Sequence, residues 1–242
     1  MRGPVCTTSV SVTPQAVRAR SGRCYRARVT STVSPPTLRI RELRKDERRM
    51  AAGLTARAMR DNPTTIAMFG DEPLDRLVGM LSIWTAFFHH PAPPQLGAFY
   101  RGCLVGVGAA VPPGGCIGDA LGADADDLAA GEAPPIGHPG RAQYVRAKYA
   151  VHDLATPHWH VGPVAVEPRF QGRRIGETLM QALLDIMDED GSPSWGETDT
   201  EANVRFYRAL GWELVKTEEV IGIPLWFLVR GGKGAPIEIP QG

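Results

Sequence analysis

The chain has 242 residues, 43% of them hydrophobic and 22% charged, with a formal net charge of +1. This composition predicts an ordinary water-soluble globular protein, one large domain plus a tail, able to bury a core without covalent staples. It excludes a general nucleic-acid binder, which shows an excess of Lys and Arg, and no run of about 18 apolar residues is present to cross a membrane. Cys6, Cys24, Cys103 and Cys116 are scattered, with no C-x-x-C and no nearby histidine pair. They predict free thiols, a reducing cytoplasmic setting and no metal site.

Residues 1–36 carry six arginines, many Ser and Thr, and no Asp or Glu. That is the composition of an organellar transit peptide, of a leader unable to bury enough surface to order itself, or of a stretch upstream of the true start. We expect a disordered leader, a folded domain over residues 37–231 and a tail over 232–242. After Pro35 and Pro36, Leu38 and Ile40 alternate with Arg39 and Arg41 as in a half-buried strand. Two helices are predicted next, Lys45 to Met59 and Leu74 to Phe88. In the second, Leu74, Leu77, Val78, Leu81 and Trp84 recur at helical spacing as one apolar face. Gln95 to Arg101 and Cys103 to Ala110, separated by Gly102, read as a hairpin. Val111 to Gly140 is a long Pro- and Gly-rich connection with room for one short helix, and Arg141 to Leu154 is a further helix packing Tyr144, Val145 and Tyr149.

Trp159 to Val166 reads as a strand that Glu167-Pro168 stops, because proline cannot donate to the ladder. A helix from about Arg174 to Asp190 follows, with Ile175, Leu179, Ala182, Leu183 and Ile186 on one face. Gly191-Ser192-Pro193 ends it. Trp195 to Thr198 is a short strand and Ala202 to Leu210 a short helix stopped by Gly211. Trp212 to Val220 and Pro224 to Arg230 are two closing strands.

The chemistry is concentrated between Val166 and Gly176. A strand that enters a Gly-containing turn and then a helix N-terminus leaves several N–H groups unpaired, with the positive end of the helix dipole behind them. A pyrophosphate bound there gains charge-assisted hydrogen bonds, to which Arg173 and Arg174 add side-chain charge. The alternative is a plain turn with solvated arginines, since neither the Walker ending nor G-x-G-x-x-G is present.

Gln171-Gly172-Arg173-Arg174-Ile175-Gly176, after a strand ending in Val-Glu-Pro, resembles the cofactor motif Q/R-x-x-G-x-G/A of the GNAT superfamily of acyl-CoA-dependent N-acyltransferases. One position departs: Arg174 stands where the family has glycine, which is tolerable if its φ is helical and its side chain turns outward. Thr200 to Trp212 resembles the second signature, N-x-x-N/A-x-x-x-Y-x-x-x-G-F/W, with Thr200 in place of the first asparagine. The resemblance implies an α+β fold of α/β/α layers, with a mixed, mostly antiparallel sheet of about seven strands and helices on both faces. It implies N-acetyl transfer from acetyl-CoA, with no metal, to a primary amine of a small molecule by direct attack in a ternary complex, in a monomer or homodimer. Its cofactor contacts are Gln171 to Glu177, that is Gln171, Gly172, Arg173, Arg174, Ile175, Gly176 and Glu177. Backbone groups of Val164, Ala165 and Val166 pair with pantetheine like an added strand, and Asn203 takes over the contact of the missing asparagine. Tyr207 occupies the position of the acid that protonates the departing thiolate.

Glu197, between Gly196 and Thr198 on the strand beside the cofactor strand, is a candidate base or water-holder; the alternatives are a substrate-ammonium ligand or a solvated strand residue. His158 and His160 sit two apart, on one face, as further candidates or as strand-edge polar packing. A catalytically idle acyl-CoA-binding module and an acetyltransferase of peptide amines are the competing functions.

Overall fold

A computed structural model describes residues 37–89, 94–115 and 124–232; the expected leader and most of the expected tail lie outside them. Seven strands form one sheet: β1 (Arg39–Glu42), β2 (Gln95–Tyr100), β3 (Cys103–Val111), β4 (Trp159–Val166), β5 (Ser194–Thr198), β6 (Glu213–Val220) and β7 (Ile223–Arg230). Their order across the sheet is β1-β2-β3-β4-β5-β7-β6. Every neighbouring pair is antiparallel except β4 and β5. The mixed, mostly antiparallel sheet expected from the resemblance is therefore present.

Helices cover both faces. On one lie α6 (Ile175–Met187) and α7 (Glu201–Ala209); their Ile175, Leu179, Leu183 and Val204 share a core with Val161, Trp212 and Leu228 of the sheet side. On the other lie α1 (Arg48–Met59), α2 (Pro63–Phe69), α3 (Pro73–His89) and α5 (Gly140–Ala150), while α4 (Asp124–Ala130) sits in the long connection. Ala51, Ala52 and Leu54 of α1 pack with Phe99, Val107 and Ala165. Glu47, in the 3-10 turn ahead of α1, is buried and held by Arg41 at 2.7 Å and by the Arg44 backbone N–H at 2.9 Å.

Two glycines of β3 set how closely α6 approaches the sheet. A Cβ on Gly106 would stand 3.0 Å from Leu179 Cδ1, and one on Gly108 would stand 3.2 Å from Leu183 Cδ1. Glycine's missing side chain thus lets the helix lie directly on the strand, which brings the α6 N-terminus to the end of β4.

Three sequence expectations are corrected. A third helix, α2, follows α1, started by Pro63 at its first turn and missed because seven residues are too few to show a period. Of the apolar face expected on α3, Leu77 and Trp84 pack inward, whereas Leu74, Val78 and Leu81 are 68%, 58% and 41% exposed. The reason is α2 itself. The Phe69 ring lies against Gly79, where a Cβ would come within 2.4 Å, so α3 turns in the side bearing Arg76, Gly79 and Met80. Arg76 tolerates burial because its guanidinium donates to Asp61 and to the carbonyls of Arg60, Gly70 and Asp71. Finally, Cys103 takes part in a disulfide rather than being a free thiol, a pairing that spacing alone does not reveal.

Candidate active site

β4 and β5 begin as parallel neighbours and then part. Their pairing is confined to Trp159↔Ser194 and His160↔Trp195, although β4 runs on to Val166 and β5 to Thr198. On its other edge β4 stays paired with β3, through Val164↔Gly108, Ala165↔Val107 and Val166↔Gly106. Between Ala110↔Val161 and Gly108↔Val164, two residues of β4, Gly162 and Pro163, oppose one of β3. Such a bulge bends the strand and shifts its side-chain alternation by one. Val161, Val164 and Val166 consequently all belong to the α6 side, while Ala165 faces α1. The result is a fork whose β4 edge, Val164 to Val166, has no β5 partner.

At the open end of the fork the chain makes the expected turn into a helix. Pro168–Phe170 is a 3-10 turn, Gly172 has φ +73°, and Arg174 is the N-cap of α6. Gln171 closes the turn by donating from its side-chain amide to the Val166 carbonyl at 3.1 Å. The first backbone donor within α6 is Thr178, to the carbonyl of Arg174; the N–H groups of Gly172 to Glu177 donate to no backbone carbonyl among the described residues. Arg174 turns its side chain outward, 80% exposed and paired with Glu177 at 2.6 Å, as its place in a glycine position requires. Its backbone, however, is left-handed, with φ +61°. Right-handed helical φ does not fit this turn, because the chain must still reverse before α6, and a β-carbon there carries strain of about 1 kcal/mol.

The fork separates two sets of side chains. On the α6 face Tyr207, from α7, packs its ring 5.3 Å from that of Trp212 and beside Gly196. Burial, with the negative charge of Glu197 adding to it, pushes the Tyr207 phenol up from its ordinary value, so it stays a proton donor at neutral pH. On the opposite face stand Glu197, Asp199 and Tyr149. The Tyr149 phenol is likewise pushed up by burial and by the charges of Glu197 and Asp199. Asp199 accepts from the Thr64 backbone N–H at 3.0 Å and from Asn62 at 3.4 Å, placing a carboxylate against the N-terminus of α2.

Behind Glu197 lies a buried polar cluster. His160 Nε2 is 2.9 Å from Glu197 Oε2, and His160 Nδ1 is 3.2 Å from Asp153 Oδ1. His158 Nδ1 is 2.9 Å from the Thr156 carbonyl, and its ring centroid is 6.2 Å from that of His160. Burial opposes charge on His160, but Glu197 and Asp153 outweigh it and push the ring up to about 10. One ligand-type atom from each of Asp153, His158 and His160 lies within 4.8 Å of the others, the one grouping of that kind among the described residues. Both ring nitrogens of His160 face carboxylates: Nε2 makes a hydrogen bond with Glu197, while Nδ1 approaches Asp153 without hydrogen-bond geometry.

The profile of the acetyltransferase (GNAT) family matches residues 39–212. The chain belongs to the GNAT family. Solved structures of acetyltransferases carry the same fold. One, from Corynebacterium glutamicum and grouped with histone acetyltransferase HPA2, is 15% identical, covers 86% of this chain and 100% of its own, and gives a TM-score of 0.57. Another is the Drosophila melanogaster polyamine N-acetyltransferase, which forms N-acetylagmatine; it is 16% identical, covers 81% of this chain and 100% of its own, and gives a TM-score of 0.57. At these identities the likeness is one of fold. For a GNAT protein that fold goes with acetyl-CoA-dependent acetyl transfer to an amine.

Of the residues singled out in the sequence, Val164 to Val166 lie on the open fork edge and Gln171 to Glu177 on the turn beyond it. Glu197 and Tyr207 lie on either side of β5. Asn203 is engaged locally, donating from its side chain to Thr198 Oγ1 at 3.0 Å, and Thr200 serves as N-cap of α7 by accepting from the Asn203 N–H. Asp153, Asp199 and Tyr149 were not anticipated as site residues. Asp199 carried a faint signal, an acid two positions after Glu197. Asp153 carried none, since it meets His160 only through the tertiary fold.

Proposed function

We propose that this protein acetylates a primary amine of a small molecule by direct attack on acetyl-CoA in a ternary complex. The observation that carries the reading is the fork between β4 and β5, with Tyr207 on the α6 face and Glu197 on the other. Acetyl-CoA entering from the α6 side sets its pyrophosphate on the amides of residues 172–177, where the helix dipole and Arg173 favour it. Pantetheine lies along the unpartnered edge of Val164 to Val166 as an added strand. The thioester then reaches the gap between the strands, and the acceptor meets it from the side of Glu197, Asp199 and Tyr149.

An amine that is cationic in water is attracted by those carboxylates but must lose a proton before it can attack. Glu197 takes that proton and releases it to solvent, the amine nitrogen bonds to the thioester carbon, and the adduct gives its second nitrogen proton to Glu197 as it collapses with cleavage of the C–S bond. Tyr207 supplies a proton to the leaving thiolate and is reprotonated from solvent. The test is amine-dependent release of CoA thiol from acetyl-CoA across a panel of small primary amines, with the acetylated product identified by mass. Glu197→Gln is expected to lower turnover by about 10²-fold or more. Binding of acetyl-CoA without thiol release for any amine would replace this reading by that of an idle acyl-CoA-binding module.

A further inference from the structure

His160 is the last residue of β4 to pair with β5, opposite Trp195. Glu197 stands two residues beyond Trp195 and so on the same face of β5. The 2.9 Å contact between His160 and Glu197 therefore spans the first gap of the fork, where the next rung of backbone pairing would have been. We propose that His160, anchored from behind by Asp153, is a positioning residue for acetyl transfer: it clasps Glu197 across the fork and keeps that carboxylate aimed at the acceptor amine. The inference rests on the role given to Glu197 in the proposed function.

The physical argument is one of charge compensation in a closed space. Asp153 and Glu197 are mostly buried, with side chains 6% and 14% exposed, and they approach opposite nitrogens of one ring. A carboxylate taken out of water without a cation is strongly disfavoured and holds a proton instead. A charged ring between the two offsets both charges, and its Nε2 hydrogen bond fixes the direction of Glu197. Asp153, on the loop after α5, holds the ring so that Nε2 rather than Nδ1 points at Glu197. Other titratable groups near this cluster are His158 just ahead of β4, Tyr149 on α5, Asp199 just past β5 and, on the other face of β5, Tyr207 on α7. Without the ring, Glu197 sits among these anions and phenols with no cation beside it, so its charge is offset less and its direction is no longer fixed.

The experiment compares His160→Leu, His160→Gln, Asp153→Asn and Glu197→Gln by kcat, KM for acetyl-CoA, calorimetric CoA affinity and melting temperature. His160→Leu is expected to lower kcat roughly 10- to 100-fold. CoA affinity should stay within about twofold, because the cofactor turn is untouched. The acid side of its kcat–pH profile should move to higher pH, so that alkaline conditions restore part of the rate. His160→Gln, which keeps an N–H donor toward Glu197 but no charge, should fall between wild type and His160→Leu, and Asp153→Asn should move in the same direction. A merely structural histidine would lower melting temperature and CoA affinity together and leave the profile in place. Should His160→Leu fail to fold, the profile of His160→Gln decides. Wild-type kcat and profile in the foldable His160 variants, with Glu197→Gln impaired, would overturn this inference alone. Wild-type kcat in Glu197→Gln would overturn the base assignment on which it rests. Stoichiometric zinc in the purified protein, lost in Asp153→Asn, would also overturn it by showing the cluster to be a cation site.

Discussion

Replacing Tyr207 by Phe tests the proposed acid with little disturbance elsewhere. The ring is held by carbon contacts, 5.3 Å from Phe206 and 5.3 Å from Trp212, and phenylalanine keeps both. Loss of one hydroxyl should change stability by no more than about 1 kcal/mol. In the proposed mechanism the effect on rate is larger, because the phenol acts on the leaving group. A thiol has an ordinary pKa of about 8.5, so a thiolate departing without a proton is a poorer leaving group. A positioned acid contributes about 10² to 10⁴, or roughly 3 to 5 kcal/mol at 1.36 kcal/mol per decade, and a water entering the vacated space recovers some of it. Turnover should therefore fall by roughly 10- to 10,000-fold with CoA affinity retained, since the lost interaction is made in the transition state. Because burial and Glu197 raise the phenol above its ordinary 10.0, the wild-type enzyme should show no loss of kcat from this group below about pH 10. The assay is steady-state thiol release with an accepted amine, beside single-turnover acetyl transfer to establish that chemistry limits the rate. An unchanged single-turnover rate in Tyr207→Phe would refute the acid role and return the tyrosine to packing between helix and sheet.

Two further outcomes follow from the same geometry. In Gly176→Asp the new Cβ meets only Val166 Cγ2 at 3.7 Å, so the fold should be kept. The added negative charge lies at the proposed phosphate site and should weaken CoA binding by about 1 kcal/mol or more, measured calorimetrically. Glu47 is held down to about 2 chiefly by its hydrogen bond from Arg41, burial working against this. A lowered carboxylate pKa gives stability that is full above the unfolded value of 4.5 and is lost as pH falls toward 2. Glu47→Gln should thus cost about 2 kcal/mol in urea unfolding at pH 7, with wild type and variant converging near pH 2. A constant difference down to that pH would show that packing rather than charge accounts for the loss.

The sequence by itself determined the local elements and the turn proposed to take the cofactor. Strand alternation at Leu38 to Arg41, the stop at Glu167-Pro168, the apolar period of Ile175 to Met187 and the glycine ending α7 each act over a few residues. Such signals survive in a bare string of letters. The same holds for Gly172 and the α6 N-terminus, whose anion-binding geometry follows from backbone chemistry. Tertiary structure alone decided which side of α3 is buried. Five apolar side chains at helical spacing predicted one face, but with Phe69 against Gly79 the helix is rotated so that Leu77 and Trp84 pack inward while Leu74, Val78 and Leu81 do not. It also decided the chemistry of the polar groups. Glu197 read as base, ligand or solvated residue, and His160 as edge packing, until β4 and β5 were placed side by side and Asp153 was carried in behind them. The electrostatics of a buried group depend on which charges lie within a few ångströms, and residues 153, 160 and 197 are brought that close by the fold, not by their spacing along the chain.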